Sequence, residues 1–195
     1  MKRFLFLVWA FSCCGWAAPE LPDAKTLELV NQGREENQVL KAEQVRVIHP
    51  LSFPEVTMVG FIVGTNDCMA GQALVDGQLV GTSEACGIAL RSRGWEAALG
   101  PQKIALALQW LEEAQLGFGD TIVKVKPEGF GDRNVHFRAP ETLATLTGSV
   151  RVLAWIESPE GSSARRRFRR ALYWFGKDGR MMRSTIVDSF DMEQR

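Results

Sequence analysis

SVRVLAWIESPEGSSARRRFRRALYWFGKDGRMMRSTIVDSF, residues 149–190, decides the fold. Side chains of an extended chain alternate between its two faces, so Val150, Val152, Ala154 and Ile156 fall together on one side of a strand. A polar loop, Ser158-Pro159-Glu160-Gly161-Ser162-Ser163, separates that run from Arg166 to Phe175. The turn Gly176-Lys177-Asp178-Gly179 then leads into Met181 to Phe190. Strands joined by connections this short pair with their neighbours in the chain, so the stretch predicts an antiparallel meander.

Working back from it, Thr121 to Lys126 and Asn134 to Arg138 add shorter β-prone runs. Pro101 suits the first turn of a helix. Ile104, Ala107, Leu108, Leu111 and Ala114 follow at helical spacing, and Leu106 and Trp110 widen the apolar stripe. Ser83 reads as the cap of another helix ending near Arg93, with Gly94 as its stop. Asp23 reads as the cap of a weaker helix from Ala24. Between these lie Val45 to Val47, the apolar run Val56 to Val63, and Ala73 to Val80 with its Asp76-Gly77 hairpin turn. Pro50 and Pro54 interrupt this region and the hairpin arms are brief, so it reads as a small ribbon beside the main sheet. The expected architecture is α+β: helices in the N-terminal two thirds packed on a C-terminal antiparallel β-meander of four to five strands.

The first 17 residues, MKRFLFLVWAFSCCGWA, are of a different kind. Lys2 and Arg3 precede an unbroken apolar run, Phe4 to Phe11, and small residues follow, the three-part pattern of a secretory signal cleaved after Ala17. The run is shorter than the roughly 20 residues that span a bilayer. Residues 18–195 then form a single domain behind a flexible leader, 18–22. Lipidation at Cys13 or Cys14 is the alternative processing, and the bulky Phe11 counts against both sites. Removing Lys2 and Arg3 from the 23 basic residues leaves 21 against 23 acidic, a balance of −2. That balance speaks against nucleic acid as a partner. No later segment has membrane-spanning length, and the expected location is the periplasm, cell envelope or extracellular space.

Export leaves Cys68 and Cys86, which read as one disulfide in an oxidising compartment, pinning a loop to the first turn of a helix. Neither cysteine nor His49 nor His136 has the close spacing of a metal site, so no metal or cofactor is expected. The tetrapeptide GFGD occurs at Gly117–Asp120 and again at Gly129–Asp132. Calcium needs six to eight oxygens in one compact loop, and each copy offers a single carboxylate. Both read as turns.

Five arginines, Arg165, Arg166, Arg167, Arg169 and Arg170, crowd one strand. Alternation places Arg165, Arg167 and Arg169 on the face of Ala171, Tyr173 and Phe175, and Arg166 and Arg170 on the face of Phe168, Leu172 and Trp174. They are the candidate contact to an anionic envelope surface or a protein partner. No phosphate loop, nucleophile elbow or other catalytic motif occurs. Two functions are therefore expected. One is a non-enzymatic exported domain that binds a protein or an anionic surface. The other is an exported small-molecule binder or hydrolase with a pocket between helix and sheet, lined by Trp110, Trp155 or Trp174.

Overall fold

A computed structural model of the chain describes residues 18–63, 67–128, 130, 137–159 and 165–193. The signal stretch, with Cys13 and Cys14, lies outside them, as do His136 and the second GFGD from Gly129 to Asp132 apart from Phe130. Among the described residues no helix is long and apolar enough to cross a membrane.

Three short helices and nine strands make up the described fold, in the order α1 (Ala24–Asn31), β1 (Val45–Ile48), β2 (Val56–Val63), β3 (Asp67–Val75), β4 (Gln78–Gly81), α2 (Thr82–Ser92), α3 (Gly100–Trp110), β5 (Thr121–Ile122), β6 (Glu141–Ala144), β7 (Val150–Pro159), β8 (Arg165–Phe175) and β9 (Met181–Glu193). They form two antiparallel sheets. The first runs β1-β2-β3-β4; the second runs β5-β7-β8-β9, with β6 beside β5 on the same edge of β7.

This corrects the expected arrangement. The helices do not fill the first two thirds of the chain above one C-terminal meander; strands are spread throughout, and residues 45–81 build a complete sheet of their own. The cause is local. Asp76 and Gly77 both take positive φ, the conformation of a tight two-residue hairpin turn. Beyond the visible arms, β2 and β3 continue pairing as far as Val63 and Asp67 because a bulge between Val59 and Gly60 absorbs the irregularity that Gly71 introduces.

The main core lies between the sheets. Val56, Met58, Ala73 and Val75 of the first sheet and Val150, Val152, Ala154, Ile156, Tyr173 and Phe175 of the second enclose α2 and α3, whose Ala85, Cys86, Ala89, Leu90, Ala107 and Trp110 are buried. Pro101 sits in the first turn of α3 as expected, and the helix ends in a π-helical turn, Leu111–Gln115. Gly94, at φ +79°, stops α2, whose cap is Gly81, two residues before the expected Ser83. Asp23 caps α1 through a 2.6 Å bond accepted from the Thr26 amide. The leader is not loose throughout: Glu20 exchanges two backbone hydrogen bonds with Val47, at 2.8 and 2.9 Å.

Each sheet has a second face. On the first sheet, α1 supplies Leu27 and Val30 to cover Val45, Val47 and Val59. On the second, Phe130 sits at the centre of an aromatic cluster, edge-on to Phe137, Trp155, Phe168 and Phe190 with centroids 5.0–5.6 Å apart.

Candidate functional site

Where the two sheets part, beyond the end of the helix pair, the main core opens into a pocket of about 350 Å³. One wall is the start of β3, with Cys68 and Ala70. The floor is the segment that follows α3, with Gln115, Leu116, Phe118 and Asp120. The opposite wall is the inner face of the second sheet: Ile156, Arg169, Ala171 and Tyr173, closed by Ser184 to Ile186 of the edge strand. The first GFGD therefore ends the helix as a turn and also places Phe118 and Asp120 against the cavity. A side-chain carbon on Gly117 would stand 2.7 Å from the Glu113 carbonyl oxygen, which is why glycine is needed there.

The polar groups of this pocket are unevenly satisfied. The Arg169 guanidinium pairs with the Asp120 carboxylate and donates from the same nitrogen to Ser158 Oγ at 2.9 Å. Its Nε and Nη1 hydrogens bond to no described residue. Tyr173 is only 6% exposed, yet its hydroxyl has no hydrogen-bond partner among the described residues. The Gln115 carbonyl oxygen is buried and unpaired as well. A buried polar group without a partner costs about 1–3 kcal/mol relative to a bonded one, which applies to the Gln115 oxygen, while the Tyr173 hydroxyl is left free to bond to whatever enters the pocket. Burial pushes the Tyr173 phenol up to about 12, with Arg169 opposing and Asp120 reinforcing the shift. Burial likewise pushes the Cys68 thiol up to about 11, against a smaller opposing effect of Arg46. Both therefore keep their protons at neutral pH.

Of the tryptophans expected to line a pocket, none does. Trp110 is fully buried in the main core, edge-on to Phe53 with centroids 5.4 Å apart. Trp155 belongs to the aromatic cluster on the far face of the second sheet. Trp174 faces outward at 37% exposure, with the Arg151 guanidinium 4.6 Å from its ring. The expected place was between helix and sheet; the pocket found here lies between the two sheets and is lined by smaller residues.

Cys68 and Cys86 are free thiols, and the bridge expected between them is not formed. Cys68 lies in strand β3 instead of a loop, beside Gly60 and Phe118. Cys86 is on the buried face of α2 and donates to the Gly179 carbonyl at 3.3 Å. That face is clamped on the β8–β9 turn, where Trp95 Nε1 donates to Lys177 O at 3.0 Å and Arg91 Nη1 to Asp178 O at 3.1 Å.

The arginine strand divides its charges between two faces as alternation requires, and its arginines are engaged. Arg166 pairs with Glu157, Arg167 with Asp191 at 3.0 Å, Arg169 with Asp120, and Arg170 with Glu141 at 3.3 Å. Arg165 opens β8 opposite Glu193 in register. The four paired arginines are committed to ion pairs, and the run divides between two faces. His49 lies away from the pocket, its Nδ1 3.1 Å from Thr57 Oγ1. Among the described residues no group of three or more His, Cys, Asp or Glu stands close enough to hold a metal.

What sequence reasoning missed is Tyr173, Gln115 and the Arg169–Asp120 pair. Their positions in the chain are far apart, and only the chain's lone tyrosine offered any signal. Comparison with protein-family models, with curated proteins and with solved structures finds no match to the chain.

Proposed function

We propose that this protein is an exported, non-catalytic binder of a small amphipathic molecule, held between the two sheets. The observation that carries the reading is the roughly 350 Å³ pocket whose wall includes Tyr173, a mostly buried side chain whose hydroxyl bonds to no described residue. Ligand sites are concave and mainly apolar with a few converging polar groups, and Leu116, Phe118, Ile156 and Ala171 supply the apolar share. Binding is favoured over hydrolysis because the lining thiol holds its proton at neutral pH, and a thiol is a poor nucleophile beside a thiolate. Binding to an anionic surface is the weaker reading, since four of the arginines that prompted it, Arg166, Arg167, Arg169 and Arg170, already have carboxylate partners.

The uncharged dye phenylnaphthylamine, which fluoresces when it leaves water, tests the pocket. The folded wild-type protein is expected to bind it, and Ala70→Leu with Ala171→Leu, which fill the cavity from opposite walls, are expected to abolish binding while circular dichroism stays native. Undiminished binding to the filled variant overturns the reading. Export is tested separately by the intact mass of the protein from its own cells, expected to begin at Ala18.

A further inference from the structure

We infer that the pocket takes an organic molecule with a single negatively charged headgroup, and that Asp120 is a built-in competitor for the arginine that receives it. This rests on the binding reading above and deepens it.

The groups lining the polar side are mostly donors. Tyr173 offers a hydroxyl, Arg169 its three unused N–H groups, and Ser184 a hydroxyl without a partner among the described residues, while the unpaired carbonyl oxygen of Gln115 is an acceptor. A guanidinium and a phenol that stays protonated at neutral pH both suit an acceptor with several lone pairs, such as a carboxylate or a sulfonate. Against them stands one carboxylate, Asp120, the sole acidic residue of the lining. It already occupies Arg169.

Asp120 follows Gly119, which sits at φ +123°, so its place opposite the strand is fixed by a backbone conformation that side-chain-bearing residues rarely adopt. The pair is one-sided. A single guanidinium nitrogen, Nη2, serves both Asp120 and Ser158, which leaves the Nε–H and the Nη1 hydrogens to make single bonds to a second acceptor. With Asp120 in place the empty pocket carries no net charge from its lining residues. An incoming anion shares Arg169 with Asp120 or displaces it, and the repulsion between the two anions limits the affinity. Leu116, Phe118 and Ile156 take the hydrocarbon part.

Two dyes with the same aromatic body separate the headgroup from the pocket: phenylnaphthylamine, which is neutral, and anilinonaphthalene sulfonate, which adds one negative charge. Arg169→Met is expected to weaken the sulfonate by about tenfold or more and the neutral dye by less than about twofold. Tyr173→Phe, which removes one oxygen and nothing else, is expected to weaken the sulfonate about threefold to fivefold. This variant carries the test if Arg169→Met fails to fold. Asp120→Asn is expected to tighten the sulfonate about threefold or more and leave the neutral dye unchanged. Equal responses of both dyes to all three changes overturn the headgroup assignment while the pocket stands. Weaker sulfonate binding by Asp120→Asn overturns the competitor role. Failure of the cavity-filled variant to lose either dye overturns the pocket itself.

Discussion

The two sheets use similar alternating strands and are finished differently. The first has strands of four to nine residues and is covered on both faces, by α1 on one side and by α2 on the other. The strands β7, β8 and β9 of the second have 10, 11 and 13 residues. At about 3.3 Å per residue, its longest strand outruns the longest of the first sheet by about 13 Å. The helices cannot cover that excess. Along the inner face of β8, Phe175, Tyr173 and Ala171 are buried, Arg169 is half-buried and Arg167 is exposed. The pocket lies on this gradient, where apolar packing gives way to charge. A cavity with polar walls thus follows from one sheet extending beyond its neighbour, with no element inserted to make it.

The outer face of the second sheet offers the hardest test of this contrast. Its far end is covered, among the described residues, by loop residues centred on Phe130 with Val123 and Phe137, where the first sheet has a helix. Phe130→Ala is expected to cost about 3–5 kcal/mol in urea denaturation, the usual price of a deleted core aromatic. A cost below about 1 kcal/mol would mean that the cluster is not a core and that the second sheet is open on that face.

A smaller effect is expected from the pocket wall. Tyr173 is the only tyrosine in the chain, so tyrosinate absorbance reads it alone. Its midpoint is expected at about 12 instead of 10.0. The unfolded chain loses this proton first as pH rises, so the contribution to stability is whole below pH 10 and disappears toward pH 12. A shift of this size corresponds to about 3 kcal/mol. Tyr173→Phe should flatten the decline of stability across that window, and a midpoint near 10 in the native protein would show a wall wetted by solvent.

The smallest effect belongs to the near end of the outer face, where Trp174, Leu143 and Met182 are exposed. Trp174→Ala loses its stacking with Arg151 and little else, and is expected to cost less than about 1 kcal/mol by thermal unfolding. A larger loss would mean that this end too is covered.

The strands β7, β8 and β9 were legible in the sequence because they are long, regularly alternating and separated by strong turn residues, whereas β6 was not expected and β5 covers only Thr121–Ile122 of the expected Thr121–Lys126. The first sheet was not legible, because Gly60, Gly64 and Gly71 and the polar Thr65-Asn66-Asp67 interrupt the pattern where β2 meets β3. Residues around Cys68 therefore read as a loop, and the thiol pair as a bridge. Placing β3 in the sheet sends Cys68 toward Phe118, while the packing of α2 on the β8–β9 turn sends Cys86 toward Gly179. The pocket was not legible. Tryptophans were natural candidates for its walls by size, but alternation puts Trp155 and Trp174 on the far face of their strands. The walls come from residues 68, 115–120, 156, 169–173 and 184–186, which no single window of sequence displays together. The partner of Arg169 is 49 positions away.

Gly60 has a reach beyond its own strand. A methyl group there would stand 2.7 Å from the Cys68 sulfur and 2.8 Å from the ring of Phe118. The missing side chain is a recess in the first sheet into which that ring settles, and the depth of the recess sets how much room remains above it. Replacing this one hydrogen by a methyl would drive the ring toward the opposite wall, so the capacity of the cavity is regulated from a residue that never faces it.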